Sequence, residues 1–450
     1  MPQGEQTPTH RRVVITGMGW VTPLGSEINH AWQRLLNAES AVGPVTRFDA
    51  STCSTDFAAE VKDFDLRDHL DDRAKEHDDA GVATQFALAA TKAAWHMAGM
   101  DNAPPDLTRV GIYLGAGEGV LDYDPYMAAN IDGYDKDARK LNNTAWAQTA
   151  YAGMRPEREV EQEPQLTSTH IAYELGTMGP TLNCMTACAA STQAIGEAFE
   201  IIRRGDADAM IAGGSHSMIH PLGMTGFMRL TAMSTRRDDP STASRPFDIS
   251  RDGFVMGEGA GIIILESLES AQARGANILC EIAGFGSTAD AYRITDIHPD
   301  GKGGAGAMAA ALKQAGIDPH ATDENGRPIV HYISAHGTGT QENDKTESAG
   351  VRSVFADLAP QIPFSSIKSM MGHLIQAAGA VELITCIQAI QTGIIPPTGN
   401  LTEVDPVCGL DHVPGVPRDE NHRGGVEVCL SNSFGFGGQN DTICIRRFQH

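Results

Sequence analysis

The chain of 450 residues has few cysteines, few basic residues and no long apolar run. Its eight cysteines include no CxxC pair, which argues against a disulfide scaffold or a zinc ribbon and indicates reduced thiols. The 34 basic residues are outnumbered by 57 acidic ones, and the net charge of −23 argues against nucleic acid or an anionic membrane as the main partner. No segment approaches the roughly 18 apolar residues of a membrane span, and residues 1–10 lack the apolar region of a signal peptide. We therefore expect a cytoplasmic enzyme.

Short apolar segments alternate with helical patterns along the chain, and the 48 glycines suit many tight turns. Strands are predicted at 13–17, 110–115, 209–214, 261–265, 279–282, 329–334, 426–430 and 442–446. Helices are predicted at 27–37, 84–98, 189–204, 305–315 and 377–391. This alternation predicts an α/β fold in which helices cover buried sheets. The pattern runs once to about residue 270 and again to the end, which favours a duplication with halves at 12–270 and 271–450 in one module spanning 12–447.

The segment 122–165 departs from this alternation. It is polar, carries charged clusters and shows weak periodicity. We interpret it as a surface excursion that serves as a lid or as a cap over an interface.

The first candidate for chemistry is Cys188, in the run MTACAAS at 185–191. The helical pattern 189–204 begins at the next residue, so the unpaired N–H groups at its start favour a thiolate, the form that attacks a thioester. The alternative is a buried structural cysteine, which is the usual state of a free cysteine. Cys184 follows Asn183, which we interpret as a breaker, and is interpreted as a packing residue.

Two further motifs place polar side chains where predicted elements end. His336 follows a predicted strand in the run SAHGTGT, and Thr338 and Thr340 offer hydroxyl groups beside it. His373 precedes a helix rich in small residues, and Lys368 lies five residues before it. The alternatives are a loop histidine bonded to the backbone and a solvated surface lysine.

A glycine-rich run, NSFGFGG at 432–438, contains Phe434 and Phe436. Such a loop allows close approach and could direct a backbone N–H at an oxyanion, although it could equally be a turn with core phenylalanines. Taken together, one cysteine, two histidines and one lysine at element ends fit a cysteine nucleophile with two imidazole donors.

These four motifs, in this order, resemble the β-ketoacyl-[acyl carrier protein] synthases of the condensing-enzyme family, and most of all the type II enzymes of bacterial fatty acid synthesis. The resemblance extends from about residue 12 to 446 and includes VVITGMG at 13–19 and GFVMGEGAG at 253–261. It implies the thiolase-like fold, in which two βαβαβαββ halves form a five-layer αβαβα sandwich, normally in a homodimer.

The resemblance also implies a reaction and its residues. Cys188 matches the nucleophile that accepts the acyl group, and His336 and His373 match the pair that binds the malonyl thioester. Lys368 matches the lysine that organises His373. The reaction is a decarboxylative Claisen condensation with malonyl carrier protein in fatty acid elongation, and it requires no metal or other cofactor. The implied partner is an acyl carrier protein that bears phosphopantetheine.

Further residues are assigned by the same resemblance. Phe434 matches the gating phenylalanine, whose N–H forms an oxyanion hole with that of Cys188. The expected supporting network consists of Asp344, Glu347 and Glu382. The expected contacts to substrate and pantetheine are Thr338, Thr340, Phe436 and Glu118.

Two features depart from the family pattern. Glu118 falls where the family often has an apolar residue along the acyl tunnel. Either its side chain turns away from the tunnel, or the acyl group is short or polar; we favour the second. Acidic residues dominate 71–79, where the family usually presents bases to its carrier protein. The remaining candidates for docking are Arg11, Arg12, Arg203, Arg204, Arg236 and Arg237. These departures leave open an alternative, a ketosynthase of a specialised polyketide or polyene pathway that forms a heterodimer with a homologous chain.

Overall fold

The computed structural model describes residues 10–117, 122–293 and 297–449. Alternating apolar and helical segments fold as expected, into strands and helices that are numbered here in chain order. The strands of the main sheet are β1 (Val13–Val21), β2 (Val110–Gly115), β3 (Thr181–Cys184), β4 (Ala209–His216), β5 (Gly259–Ser267), β6 (Cys280–Ala289), β7 (Tyr332–Ser334), β8 (Phe364–Ser365), β9 (Val428–Gly435) and β10 (Gln439–Arg446).

The helices follow the same order along the chain. They are α1 (Ile28–Leu36), α2 (Arg67–Leu70), α3 (Val82–Met97), α4 (Tyr123–Gly133), α5 (Asn143–Gly153), α6 (Pro156–Val160), α7 (Leu166–Leu175), α8 (Ala190–Arg204), α9 (Pro221–Arg229), α10 (Leu268–Ala273), α11 (Lys302–Ala315), α12 (Gln341–Phe355), α13 (Lys368–Met371) and α14 (Ala378–Thr392). Within the described ranges, no helix combines the length and the apolar character that crossing a bilayer requires.

The main sheet repeats one topology twice. Its ten strands lie in the order β8-β7-β9-β10-β6-β1-β5-β4-β2-β3. In the first half, β2 is parallel to β3 and β4, and β5 is antiparallel to β4 and β1. In the second half, β7 is parallel to β8 and β9, and β10 is antiparallel to β9 and β6. The halves join through a short antiparallel pairing of β1 with β6, and the residue limits of the two domains stay a prediction.

The helices form three layers around the two half-sheets. Helices α8 and α14 contact strands of both halves and therefore lie between them. Helix α3 packs on β1 and β5, and α11 packs on β6 and β10, on the outer faces. The result is the predicted αβαβα arrangement, with every residue of β1, β4 and β5 buried.

Two glycines of β1 let helix α3 approach the strand closely. A Cβ atom at Gly17 would lie 2.1 Å from the carbonyl oxygen of Ala94, and one at Gly19 would lie 2.1 Å from that of Ala90. A side chain at either position would push the helix off the sheet.

The same contact recurs in the second half, between β6 and α11. A Cβ atom at Gly284 would lie 2.2 Å from the carbonyl oxygen of Ala311, and one at Gly286 would lie 2.1 Å from that of Ala307. The duplication is therefore visible in the spacing of individual glycines, which sequence comparison of the halves did not reveal.

The segment 122–165 folds into α4, α5 and α6, with a small hairpin between Tyr134–Asp135 and Lys140–Leu141. Its surface carries exposed apolar side chains, among them Tyr151, which is 94% exposed. A surface excursion is therefore what the structure shows, and the role of lid or cap stays a prediction.

Candidate active site

Cys188 lies in a single 3₁₀ turn, Ala187–Ala189, between β3 and the first residue of α8. Ala187 has a φ of 48°, so the chain turns sharply just before the sulfur. Cys188 is buried in an apolar cluster that includes Met224, Met233 and Phe254. The predicted helix start is thus confirmed within one residue, and the nucleophile stands at the entrance of a buried helix.

The approach to this turn differs from expectation in one respect. Asn183 was predicted to be a breaker, but it is part of β3, where it pairs with Leu114 of β2. The parallel ladder supplies partners for its backbone, so a poor strand former is tolerated there. Cys184, at the end of the same strand, is mostly buried, and burial raises the pKa of its thiol to about 12. It therefore remains a protonated packing residue.

The loop of His336 is held by two acids from the first half of α12. Glu347 accepts hydrogen bonds from the backbone N–H of His336 at 2.9 Å and of Gly337 at 2.8 Å. Asp344 accepts from the N–H of Gly339 at 3.1 Å. Burial raises the pKa of Glu347 to about 7 and also raises the pKa of Asp344. The loop that carries the imidazole is therefore fixed by the helix that follows it.

Lys368 and Glu382 form a buried ion pair beside this loop. The Lys368 ammonium donates to the carbonyl oxygen of His336 at 2.7 Å and to the Glu382 carboxylate. The resemblance implied that Lys368 organises His373, whereas these hydrogen bonds hold the segment of His336. Burial raises the pKa of Glu382 to about 7, against the opposing charge of Lys368.

His373 follows α13 and Gly372, whose φ of 71° turns the chain. Its backbone N–H donates to the carbonyl oxygen of Val255 at 2.7 Å. Burial lowers the pKa of His336 and of His373 well below the ordinary value, and the nearby charge of Lys368 lowers both further. Both imidazoles are therefore neutral at physiological pH.

A second 3₁₀ turn, Ile375–Ala377, leads from His373 into α14. Ile375 has a φ of 42° and so repeats the sharp bend found at Ala187 before α8. Both central helices thus begin with the same local geometry, one turn beside the nucleophile and the other just after an imidazole.

The three predicted reactive side chains come together. One side-chain atom from each of Cys188, His336 and His373 lies within 4.8 Å of the other two. The two imidazole rings are 5.4 Å apart and nearly perpendicular, at 86°. Among the described residues, neither nitrogen of His373 nor Nδ1 of His336 has a hydrogen-bond partner. All three residues line one cavity of about 520 Å³.

The glycine-rich run reaches the nucleophile through the end of β9. A Cβ atom at Gly435 would lie 2.7 Å from the carbonyl oxygen of Thr186 and 3.4 Å from the nitrogen of Cys188. The ring of Phe434 lies 5.7 Å from that of His336. This strand end is therefore packed directly on the turn that carries the sulfur.

The remaining predicted contacts lie at the opening of the cavity. Thr338 and Thr340 line it, with their hydroxyl oxygens 3.0 Å apart. Phe436 also lines it and is 43% exposed. Glu118 lies outside the described residues.

Two residues of the site were not singled out from the sequence. The ring of Phe254 packs edge-on against His373 at 5.5 Å. Arg251 is buried, donates to Asp405 at 2.7 Å and lies 3.6 Å from Asp344. Phe254 lies in the run GFVMGEGAG and Arg251 lies two residues before it. The length of this motif was the signal that could have pointed to both.

Family models match most of the chain. Residues 10–271 match "Beta-ketoacyl synthase, N-terminal domain", and residues 279–402 match "Beta-ketoacyl synthase, C-terminal domain". A 3-oxoacyl-[acyl-carrier-protein] synthase 2 of Synechocystis sp. is 41% identical over 98% of this chain and 99% of its own. A synthase of the same name from Staphylococcus aureus is 39% identical over 98% of this chain and 99% of its own.

Solved structures of similar proteins agree. A β-ketoacyl synthase from Burkholderia phymatum has a TM-score of 0.84 and 32% identity, over 98% of this chain and 100% of that one. The ishigamide ketosynthase/chain length factor has a TM-score of 0.82 and 34% identity at the same coverage. A third structure, of a type II PKS acyl-carrier protein in complex with its ketosynthase bound to the hexaketide, has a TM-score of 0.82 and 31% identity at the same coverage. The chain belongs to the β-ketoacyl synthase family, with its thiolase-like fold.

Proposed function

We propose that the protein is a 3-oxoacyl-[acyl carrier protein] synthase, an acyltransferase that condenses an acyl thioester with malonyl carrier protein in fatty acid elongation. The observation that carries this proposal is the convergence of the buried Cys188 sulfur with His336 and His373 in one cavity. A thiolate nucleophile beside two neutral imidazoles suits acyl transfer followed by formation of a carbanion. The identities of 39–41% with synthases of this name support the same reaction.

The first step loads the acyl group. The Cys188 thiolate attacks the carbonyl carbon of the acyl thioester, a tetrahedral oxyanion forms, and the thiolate of the pantetheine arm leaves as the carbonyl reforms. The oxyanion accepts hydrogen bonds from the backbone N–H groups of Cys188 and Phe434. The close packing of Gly435 on the Cys188 turn supports this pairing of donors.

The second step forms the carbon–carbon bond. Neutral His336 and His373 donate hydrogen bonds to the thioester carbonyl of the malonyl group. Its bond to CO₂ breaks, and the electron pair moves into the enolate that these donors stabilise. The enolate carbon attacks the acyl carbonyl on Cys188, and the carbon–sulfur bond then breaks to release the 3-oxoacyl product and return the thiolate. Loss of one oxyanion donor would raise the barrier by about 3–4 kcal/mol.

The pantetheine arm of the carrier protein enters past Thr338, Thr340 and Phe436. The two hydroxyl groups can hydrogen-bond its amides, and the exposed ring of Phe436 covers its apolar part. Thr338→Val and Thr340→Val should therefore raise KM for the carrier substrate more than they lower kcat.

Docking of the carrier is proposed at Arg236 and Arg237. Arg236 and Arg237 come a few residues after Thr231 and Ala232, which line the cavity. The other pair is placed differently, since Arg204 is the last residue of the 15-residue helix α8, which begins beside Cys188. That helix is about 22 Å long, so its last residue is remote from the opening. Reversing the charge of both Arg236 and Arg237 should lower the carrier-dependent rate, whereas the matched reversal of Arg203 and Arg204 should leave it nearly unchanged.

A dimer is proposed through the exposed edge of the sheet. In the described part of the chain, β3 pairs on one side only, with β2. Apolar side chains lie exposed on this edge and on the nearby excursion, where Leu182 is 44%, Met185 is 55% and Tyr151 is 94% exposed. A second copy that pairs with this edge would cover an exposed strand, which single chains seldom leave uncovered.

The proposed location is the cytoplasm. None of the eight cysteines, all within the described residues, forms a disulfide. Reduced thiols are the usual state in that compartment.

The proposed function is tested by mass spectrometry of the products from malonyl carrier protein and a panel of acyl donors. We expect 3-oxoacyl products two carbons longer than each accepted donor, and acyl adducts on the wild-type protein but not on Cys188→Ala. A wild-type protein that is acylated at a different cysteine would contradict the proposal.

The alternative is a polyketide ketosynthase that works with a homologous subunit. It is favoured by the likeness to the ishigamide ketosynthase/chain length factor, although the identity of 34% is lower than that to the synthases above. Condensation by the purified chain alone, over several rounds with saturated acyl donors, would argue for elongation. Activity that appears only when a homologous subunit is added would argue for the alternative.

A further inference from the structure

The three reactive side chains also form a set of metal ligands. Their donor atoms, one sulfur and two imidazole nitrogens, lie within 4.8 Å of one another. In a tetrahedral zinc site, Zn–S is about 2.3 Å and Zn–N about 2.0–2.1 Å, so sulfur and nitrogen donors lie roughly 3.6 Å apart. Side-chain rotations that shorten the distances between these donor atoms by about 1 Å would therefore allow all three to bind one zinc ion.

A second observation points to a ligand at the same place. Both nitrogens of His373 and Nδ1 of His336 are buried without a hydrogen-bond partner among the described residues. Buried polar atoms in proteins almost always have partners. A neutral imidazole has one N–H and one lone pair, so each histidine can offer one nitrogen to an ion. The cavity of about 520 Å³ provides a path of entry and room for a fourth ligand, such as water.

The surrounding charges define the kind of ion. Both carboxylate oxygens of Glu347 accept from backbone N–H groups, and Oε1 of Glu382 accepts from the Lys368 ammonium. Neither carboxyl group belongs to the set of three ligands. The ammonium opposes a divalent cation, and the two carboxyl groups offset it. Thiolate and imidazole donors select Zn²⁺ over Mg²⁺, which prefers oxygen ligands.

We propose that Cys188, His336 and His373 bind one Zn²⁺ ion when the sulfur carries no acyl group, and that this ion blocks acylation. The thiolate binds the ion directly, a sulfur that is still protonated releases its proton to solvent, and the sulfur lone pair that would attack the thioester is then occupied. Binding of the ion rests on the geometry alone. The inhibition rests on the proposed function.

The metal site is tested on the full-length protein without any acyl donor. Titration with Co²⁺, followed by its thiolate charge-transfer absorption, and with Zn²⁺, followed by calorimetry, should give one ion per chain. Mg²⁺ should give no signal. Cys188→Ala should abolish the charge-transfer band, and His373→Ala should weaken Zn²⁺ binding at least tenfold. The control Cys53→Ala, at a partly exposed cysteine outside the cavity, should bind as the wild type does.

The outcome is separable from that of the proposed function. Condensation assays with and without Zn²⁺ should show inhibition that a chelator reverses and that prior acylation of Cys188 prevents. A protein that condenses acyl groups but binds Zn²⁺ equally well as wild type and as Cys188→Ala would overturn the metal site and leave the synthase intact. A protein that binds one Zn²⁺ through Cys188 but never condenses acyl groups would support the metal site and overturn the proposed function. Urea unfolding of each variant serves as the control that the variant is folded.

Discussion

Replacing Gly435 by alanine tests the contact between the glycine-rich strand end and the nucleophile. The added Cβ atom would lie 2.7 Å from the carbonyl oxygen of Thr186, which is backbone and cannot rotate away. Since real contacts of a Cβ atom are rarely shorter than 3.0–3.4 Å, the strand must move by several tenths of an ångström. The expected direction of movement is away from the nitrogen of Cys188, one of the two proposed oxyanion donors.

The size of the effect follows from that displacement. A misplacement of 1 Å costs about 100-fold in rate, so a shift of roughly half that distance should lower the rate of acylation by about 10-fold or more. Overpacking of this kind costs about 1–3 kcal/mol of unfolding free energy, which the chain should survive. Stopped-flow acylation and urea unfolding measure the two effects separately.

A matched control is Gly226→Ala. Gly226 lies within α9, and an added Cβ atom would meet nothing within 4 Å. Alanine there should keep full activity and stabilise the helix by about 0.5–1 kcal/mol. Acylation at the wild-type rate in Gly435→Ala would refute the assignment of this strand end to the oxyanion hole.

Three further predictions follow from buried groups. Burial raises the pKa of Asp441 from 3.8 to about 7. As pH rises through that interval the carboxyl group ionises first in the unfolded chain, which removes about 4 kcal/mol of stability from the folded one. In urea unfolding, Asp441→Asn should therefore gain stability relative to wild type between pH 5 and 8, and a constant difference over that range would contradict this. Lys368→Met leaves the Glu382 carboxyl group buried without its cation and should cost about 3–5 kcal/mol; adding Glu382→Leu should recover part of that loss, as thermal unfolding would show. Gly19→Ala and Gly286→Ala should destabilise the chain by similar amounts, because each forces a helix off a strand by the same contact; a large effect of one alone would contradict the equivalence.

The sequence predicted the long buried elements well. The strand expected at 110–115 is observed as Val110–Gly115, and the helix expected at 189–204 is observed as Ala190–Arg204. The strand lies inside the sheet and the helix lies between the two half-sheets, so both carry continuous apolar or periodic patterns.

Other elements left no such signal. Strands Thr181–Cys184 and Phe364–Ser365 are too short to show a period. Helix Gln341–Phe355 was not predicted because its first half buries polar residues, among them Glu347, which binds the loop of His336. Its apolar contacts are confined to the second half, where Val351, Val354 and Phe355 are buried. In 122–165 several large apolar residues are exposed, among them Ile131, Tyr134 and Tyr151, so their spacing does not report a core.

The candidate site was predictable as a set of residues but not as a network. The four motifs identified Cys188, His336, His373 and Lys368, and the structure brings them together. The hydrogen bonds of Lys368 could not be predicted, because its partners His336 and Glu382 come from segments that meet only in the folded chain.

The matching bends before α8 and α14 have a consequence for how the two halves divide their work. Cys188 is the middle residue of the turn Ala187–Ala189, and Gln376 is the middle residue of Ile375–Ala377. Each stands two residues before the first residue of its helix, so a buried amide occupies in the second half the place that sulfur occupies in the first. At these two turns the halves therefore share the bend of the main chain and differ in the side chain that it presents, sulfur in one half and a carboxamide in the other.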